Sequence, residues 1–171
     1  IDCSSQNLID FSVMGIVFAQ NVLGRPKPRV AFLNVGEEDN KGNSIIQEAS
    51  RVMKESHFAD FYKGYVEGDK VISGNFDVVV CDGFSGNVML KTAEGTAKLC
   101  SEYLKQVFSS SILGKISYAI GKSSFLGIRK KMDPRKHNGA VLLGLNGIVV
   151  KSHGGTDSIG FAHAVDLATE M

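Results

Sequence analysis

Three short apolar runs stand out along the chain, and each leads into a polar loop that contains glycine. The runs are Val30 to Val35, Val78 to Cys81 and Ile148 to Val150. Runs of β-branched residues without alternation are typical of strands buried on both faces, as in parallel sheets. A weaker strand is predicted from Tyr62 to Val66. The pattern therefore predicts a mainly parallel sheet.

Apolar residues at helical spacing lie between these strands. One helix is predicted before the first strand and a second one after it, with Asn43 as the N-cap of the second. Two further helices are expected to begin near Asn87 and at 156–158. The periodic positions of the first two helices are Phe11, Met14, Phe18, Val22, Ile45, Ile46, Ala49, Val52 and Met53. Strands that alternate with helices imply right-handed crossovers. The expected fold class is α/β, a helix-covered, mainly parallel sheet in three α/β/α layers, similar to Rossmann folds.

One segment in the second half departs from this alternation. Residues 103–132 contain no Asp or Glu but six Lys or Arg, interspersed with apolar residues. We interpret residues 103–138 as an amphipathic helical excursion that protrudes from the sheet.

Composition excludes several classes of protein. With 171 residues, 19 Lys plus Arg and 18 Asp plus Glu, the formal net charge is +1, which argues against a nucleic-acid binder. Apolar residues at 43% and charged residues at 22% fit a globular protein without a membrane-spanning helix. Three cysteines favour a reducing cytoplasm, and four scattered histidines predict no metal site.

Two of the strand-end loops carry residues suited to an anion. In open parallel sheets, ligands bind beyond the carboxyl ends of the strands. Loop 82–87 has small residues, which let an anion approach the free amides and the positive dipole end of the helix that follows. Loop 151–155 adds an ammonium, a hydroxyl and an imidazole. The alternative is a pair of ordinary helix-capping turns. The candidate phosphate-binding residues are Asp82, Gly83, Ser85, Gly86, Asn87, Lys91, Lys151, Ser152 and Gly154.

Two further features at strand ends favour structural roles. Loop 34–43 carries several charges, but a solvated acidic turn explains it at least as well as a binding site. Cys81 could be a nucleophile, yet no Cys–His motif surrounds it, so a small buried packing residue is the favoured interpretation.

Three long motifs resemble those of a known enzyme family. They are residues 30–43, residues 78–92 with Val-Cys-Asp-Gly-Phe-Ser-Gly-Asn-Val, and residues 142–154, which end in Lys-Ser-His-Gly. In order, and over essentially the whole chain, they resemble the bacterial phosphate acyltransferases of fatty-acid and phospholipid synthesis. That family makes acyl phosphate from acyl-(acyl-carrier-protein) and inorganic phosphate. The Ser-Gly-Asn element is also similar to the Thr-Gly-Asn of phosphate acetyl- and butyryltransferases.

The sequence departs from that family in two places. Family members are longer, and their glycine-rich N-terminal Asp-Ala-Met-Gly-Gly-Asp pattern is absent here. Residues 1–171 are therefore expected to be the C-terminal part of a single α/β/α acyltransferase domain. The family's proline after Gly-Ala is Val141 in this chain.

The resemblance implies that phosphate attacks a thioester carbonyl, without a cofactor and without a covalent enzyme nucleophile. Positioning and electrostatic stabilisation should then supply most of the rate. We hypothesise that the helix start at 85–87 and Lys151 hold phosphate, while His153 lies near the leaving sulfur or the oxyanion. Catalytic roles are assigned on this basis to His153, Lys151 and Asn87.

The resemblance also implies partners and a location. The acyl donor is acyl carrier protein, the acceptor is inorganic phosphate, and a membrane glycerol-3-phosphate acyltransferase consumes the product. A homodimer is expected, in the cytoplasm and peripherally associated with the membrane. The excursion could contact the membrane surface, dock the carrier protein, or pack against the core or a second copy. Its predicted contact residues are Leu113, Lys115, Ile116, Ile120, Lys122, Leu126, Arg129, Lys130 and Lys131.

Two other functions fit the same residues. One is a coenzyme A-dependent phosphotransacylase of the acetyl- or butyryltransferase kind, which the cationic apolar excursion disfavours. The other is a non-catalytic membrane-binding scaffold module, which the intact glycine loops disfavour.

Overall fold

The computed structural model describes the backbone of residues 2–131 and 138–171, and their side chains except at 123–126 and 128–131. It divides into two compact units, Ile1–Thr92 and Ala93–Met171. That the whole chain belongs to one domain stays a prediction.

The first unit alternates helices and strands. A short 3-10 helix, Val71–Ser73, follows its second strand, and its last helix continues into the second unit. Its elements in chain order are α1 (Ser5–Asn21), β1 (Val30–Leu33), α2 (Ser44–Glu55), β2 (Tyr62–Val66), β3 (Val78–Val80) and α3 (Gly83–Ser109).

The three strands form a parallel sheet in the order β2-β1-β3. Phe32 of β1 pairs with Tyr65 of β2 on one side and with Val80 of β3 on the other. Val30, Ala31 and Phe32 are all fully buried, as expected for a central strand covered on both faces. The predicted strands at the first two runs and at Tyr62–Val66 are confirmed, and so is the α/β class.

Helices α1 and α2 contact each other, with α1 against β3 and α2 against β2. Asn43 caps α2 as predicted, since its side-chain oxygen accepts a hydrogen bond from the N–H of Ile46 at 3.0 Å. The core between helices and sheet is formed by Leu8, Ile16, Val30, Phe32, Ala49, Met53, Tyr62, Tyr65 and Val80.

Helix α1 buries a different face from the one that contains its largest apolar residues. Phe11 is exposed, whereas Ser12 and Ala19 are fully buried. Small residues permit close packing: a Cβ on Gly15 would lie 2.6 Å from a methyl group of Val78 in β3. The Phe11 periodicity therefore predicted the helix but not its buried face.

The second unit contains the rest of α3 and four further elements. They are α4 (Ile112–Lys131), β4 (Ala140–Val141), β5 (Val150–Lys151) and α5 (Ser158–Thr169). Helix α5 begins where predicted, and Asp157 caps it by accepting a hydrogen bond from the N–H of Gly160 at 3.0 Å.

The third apolar run is not a strand of the parallel sheet in this structure. Strand β5 begins at Val150 and pairs antiparallel with β4, while Ile148 and Val149 are exposed in the connecting turn. Gly144 adopts φ 82° in this turn, and the N–H of Leu142 donates to the carbonyl of Val149 at 2.9 Å. An apolar run predicts a strand but does not choose its partner, and here a segment nearby in sequence, across the connection 142–149, supplies the pairing.

The helical part of the predicted excursion is confirmed where the structure describes it. Helix α3 runs to Ser109, and α4 follows after a turn in which Ser111 caps it, its side chain accepting the N–H of Gly114 at 2.9 Å. Residues 132–137 of the excursion lie outside the described residues. Of the described helices, none is long and apolar enough to cross a bilayer.

Candidate functional site

A cleft of about 410 Å³ opens in the first unit beyond the carboxyl ends of β1 and β3. Leu33 ends β1 and Val80 ends β3, and both line the cleft. From β1 the chain crosses to β2 on one side and then returns to β3 on the other. The cleft thus lies where the strand order reverses, which is where open α/β sheets bind ligands. Further apolar lining comes from Leu8, Phe32, Ile45, Ile46 and Phe84.

Asp82 is one of the polar residues that line the cleft, with Asp2, Asn43 and Ser85, and it caps α3. Its Oδ1 accepts hydrogen bonds from the N–H groups of Phe84 at 2.9 Å and Ser85 at 2.8 Å, and its Oδ2 accepts one from Ser85 Oγ at 2.6 Å. The helix consequently begins at Gly83 rather than near Asn87. A carboxylate already binds the first amides, so the predicted use of a bare helix start for phosphate needs revision.

Asp82 is charged at neutral pH. Partial burial acts to raise the pKa of its carboxyl, but hydrogen bonds from Ser85 and Phe84 outweigh burial and hold the pKa below the ordinary value. An ionised Asp82 repels a second anion from the amides it caps and is unsuited to act as a general acid.

Gly86 and Cys81 pack against each other at the base of α3. A Cβ on Gly86 would lie 2.8 Å from Cys81 Sγ, so the helix passes this strand end at a distance that a side chain would prevent. Burial raises the pKa of the Cys81 thiol, and the charge of Asp82 adds to the effect. A protonated, half-buried thiol supports the interpretation of Cys81 as a packing residue.

Asn87 and Lys91 lie beyond this capped first turn. Both are exposed on α3 and, being four residues apart, they share one face of the helix. An amide and an ammonium are groups that can donate hydrogen bonds to a phosphate.

In the second unit, the loop after β5 is held by Asn138, a residue that the sequence analysis missed. Its Nδ2 donates to Ser152 Oγ at 2.9 Å and to the carbonyl of Gly160 at 2.7 Å, and its Oδ1 accepts the N–H of His153 at 2.9 Å. An Asn-Gly dipeptide at 138–139 is a turn signal, but it does not reveal these partners.

The imidazole of His153 has a defined tautomer in this loop. The N–H of Gly155 donates to Nδ1 at 3.1 Å, so the proton of the neutral ring resides on Nε2. His153 is exposed, as are Lys151 and Gly154, while Ser152 is half-buried. The loop therefore offers one N–H donor from an imidazole and one ammonium to an approaching ligand.

The predicted site residues fall into both units. Asp82 to Lys91 belong to the first unit, and Lys151 to Gly154 belong to the second. That the two loops form one phosphate site stays a prediction.

The polar groups of loop 34–43 form hydrogen bonds and an ion pair with other groups of the protein. Buried Asn34 donates to the carbonyl of Lys41 at 3.1 Å and packs against Gly42, whose φ is +84°. Glu37 forms an ion pair with Lys70 at 2.9 Å. These contacts support the interpretation of this loop as a solvated acidic turn.

The excursion presents an apolar stripe. Leu113, Ile116 and Ile120 are 74%, 52% and 81% exposed, and Lys115 and Lys122 are exposed as well. The side chains predicted at Leu126, Arg129, Lys130 and Lys131 lie outside the described residues. In the described part of the chain, His, Cys, Asp and Glu side chains do not cluster as a metal site requires.

The α/β fold, with a cleft at the point where the strand order reverses, places the chain in the general class of ligand-binding α/β proteins. Comparison with known proteins identifies the family within that class. The profile of a family described as "Fatty acid synthesis protein" matches residues 1–171. The phosphate acyltransferase of Granulibacter bethesdensis is 52% identical over 169 residues, which cover 99% of this chain and 46% of that protein.

Other relatives have the same name. The phosphate acyltransferase of Paramagnetospirillum magneticum is 51% identical over 100% of this chain and 49% of its own length. That of Agrobacterium fabrum is 49% identical over the same shares. The chain belongs to the fatty acid synthesis protein family, which confirms the resemblance, and it spans about half the length of these relatives.

Proposed function

We propose that this chain carries acyl-transfer machinery of an enzyme that forms acyl phosphate from acyl-(acyl-carrier-protein) and inorganic phosphate for phospholipid synthesis. Membership of the family and the name of its relatives support acyl transfer to phosphate. The structural observation that carries the proposal is the cleft beyond β1 and β3, whose lining is mainly apolar and includes the polar residues Asp2, Asn43, Asp82 and Ser85.

The apolar part of the cleft suits the acyl chain of the donor. Phe32, Leu33 and Val80 line it from the sheet, and Ile45 and Phe84 from the two helix starts. Each buried methylene contributes about 0.8 kcal/mol, so a cleft of this kind favours a long acyl chain over an acetyl group. This preference supports a fatty-acyl donor rather than the short-chain coenzyme A alternative.

The hydrogen bonds of Asp82 change which residues we propose as phosphate ligands. Because Asp82 already binds the first amides of α3, phosphate is expected at the exposed Asn87 and Lys91 instead. Lys151, Ser152 and Gly154 are proposed as its further ligands. Asp82, Gly83, Ser85 and Gly86 then shape the start of the helix rather than bind the anion.

The reaction needs little acid assistance. A phosphate oxygen forms a bond to the thioester carbonyl carbon, the carbonyl oxygen gains negative charge, and the carbon–sulfur bond then breaks to release a thiolate. A thiol of ordinary pKa, about 8.5, is a good leaving group. His153 is proposed to donate its Nε2–H as a hydrogen bond to the oxyanion or the leaving sulfur, and Lys151 and Asn87 to orient the nucleophile.

The excursion is proposed to contact the membrane surface. Its exposed stripe of Leu113, Ile116 and Ile120 can enter the apolar boundary of a bilayer while Lys115 and Lys122 meet anionic headgroups. An acyl phosphate with a long chain partitions to the same boundary. Docking of acyl carrier protein and packing against a second copy are the alternatives for this surface.

A variant that shortens the cleft tests the proposal. Ile45 is 40% exposed, so Ile45→Trp adds bulk to the cleft without displacing core residues. In the full-length protein we expect it to reduce acyl phosphate formation from long-chain donors and to spare short-chain ones. Ile72→Trp, outside the cleft and 85% exposed, is the matched control. An unchanged chain-length profile in Ile45→Trp contradicts the assignment of the cleft.

A further inference from the structure

One side chain joins the end of β5 to the first turn of α5. Asn138 is half-buried and hydrogen bonds to the Ser152 hydroxyl, the His153 main chain and the Gly160 carbonyl. These partners lie 14, 15 and 22 residues away along the chain. The contacts therefore fix the loop after β5 against the helix that follows it.

The chemistry of these contacts requires an amide in one orientation. Both hydrogens of Nδ2 point at acceptors, Ser152 Oγ and the Gly160 carbonyl, and Oδ1 faces the N–H of His153. A flipped amide would place Nδ2 against the His153 N–H and Oδ1 against the Gly160 carbonyl oxygen. Asn138 thus combines donors and an acceptor that no carboxylate or apolar residue of the same shape supplies.

The backbone beside Asn138 is fixed as well. Gly139 has φ +120°, and a Cβ there would lie 3.0 Å from a methyl group of Leu167 and 3.3 Å from Ala164 Cα. The chain therefore approaches α5 as closely as a glycine permits. Asn138 therefore lies next to a close contact between the chain and α5, and its side chain ties the loop to the same helix.

The geometry points to Asn138 as a positioning residue that sets the direction of the His153 Nε2–H. Asn138 holds the main chain of His153, and Gly155 holds Nδ1 of its ring, so both ends of the residue are fixed. Asn138 acts through His153 and Ser152 and does not touch substrate. This inference rests on the proposed function of the loop.

The variant Asn138→Asp in the full-length protein tests it. Asp keeps the acceptor for the His153 N–H but places an oxygen where Nδ2 now donates to the Gly160 carbonyl. We expect kcat to fall about 10- to 100-fold because the reacting groups are misplaced, with an unchanged KM for the acyl donor.

A matched control separates this effect from a general change of charge. Asn146 is exposed in the turn between β4 and β5, and its side chain makes no hydrogen bond shown among the described residues. Asn146→Asp is expected to keep the parent kcat and pH profile. If Asn138→Asp behaves like Asn146→Asp, the positioning role is wrong while acyl phosphate formation by the parent protein still stands.

A second measurement does not depend on turnover. ¹⁵N NMR of the imidazole is expected to show His153 with its proton on Nε2 in the parent protein and a mixture of tautomers in Asn138→Asp. Should the parent form no acyl phosphate, the proposed function fails, and this spectrum alone decides the positioning role. Identical His153 signals in parent and variant overturn it. If Asn138→Asp does not fold, Asn138→Ser is compared in the same way.

Discussion

Ser85 bonds Asp82 twice at the start of α3: its hydroxyl donates to Oδ2 at 2.6 Å, and its N–H donates to Oδ1 at 2.8 Å. This pair gives Asp82 a structural role in a loop that the sequence analysis assigned to phosphate binding. It also moves the proposed phosphate contacts away from the first turn of the helix, toward Asn87 and Lys91.

The Asp82 cap predicts a pH-dependent contribution to stability. Hydrogen bonds hold the pKa of Asp82 below its ordinary value, so the contribution is present above the unfolded pKa of about 3.9 and is lost as the pH falls below it. Asp82→Asn keeps an acceptor but loses the charge at the helix start, which costs about 0.3–1 kcal/mol at neutral pH. Denaturant unfolding at pH 7 and below pH 4 should show this difference shrinking in acid.

Asp60→Asn provides the comparison for that experiment, because Asp60 is exposed and caps no described helix. Its effect on the free energy of unfolding should stay small at both pH values. A difference between parent and Asp82→Asn that does not change with pH would show that the carboxylate is not the cap.

The contact between Gly86 and Cys81 predicts coupled substitutions. Gly86→Ala places a Cβ 2.8 Å from Cys81 Sγ and should destabilise the protein by about 1–3 kcal/mol through overpacking. Cys81→Ala removes the sulfur, so Gly86→Ala should cost at least about 1 kcal/mol less in that background. Denaturant unfolding of the four proteins in this cycle measures the coupling.

Gly95→Ala is the matched control, since Gly95 lies in the same helix and a Cβ there would meet nothing within 4 Å. It should stabilise the helix by about 0.5–1 kcal/mol. Additive effects of Gly86→Ala and Cys81→Ala are the result that rules out the packing role.

Much of the first unit follows from its sequence because local signals and tertiary packing agree there. Asn43 is an N-cap that the sequence identifies, and its helix begins where predicted. In the second unit, α5 likewise begins within the predicted range 156–158. Asp82 misled the prediction because Asp, Ser and Asn all stand near the helix start, and only the hydrogen bonds show which one caps it.

Two features depend on distant partners that local patterns do not specify. Val150 pairs with Val141, so of the apolar run at 148–150 only Val150 lies in a strand, and that strand is not part of the parallel sheet. Asn138 gains its role from Gly160, 22 residues away. Neither separation leaves a periodic signal in the sequence.

The role proposed for Lys151 predicts a specific kinetic defect. Lys151→Ala in the full-length protein should raise the KM for phosphate about 10- to 100-fold, since a hydrogen bond to a charged group contributes about 1.5–3 kcal/mol. Lys98→Ala, which removes an exposed lysine on α3 outside the excursion, should leave kinetics unchanged. Parent values of both KM and kcat in Lys151→Ala exclude it from the phosphate site.

The exposed stripe of the excursion predicts binding to lipid. Replacement of Leu113, Ile116 and Ile120 with Ser should abolish flotation of the full-length protein with vesicles that contain anionic lipid, because the apolar contribution is lost. Leu23→Ser combined with Ile72→Ser removes exposed apolar residues elsewhere and should leave flotation intact. If flotation survives the triple substitution, the membrane assignment of this stripe is wrong, and docking of acyl carrier protein or packing against a second copy is the remaining interpretation.

Acyl phosphate formation by the full-length protein, measured with inorganic phosphate and two donors, tests the central claim most directly. The donors are a long-chain acyl-(acyl carrier protein) and acetyl-coenzyme A, and the product is trapped with hydroxylamine. We predict rapid, phosphate-dependent product from the carrier-bound donor and little from acetyl-coenzyme A. Product from acetyl-coenzyme A alone, or from neither donor, would contradict the account.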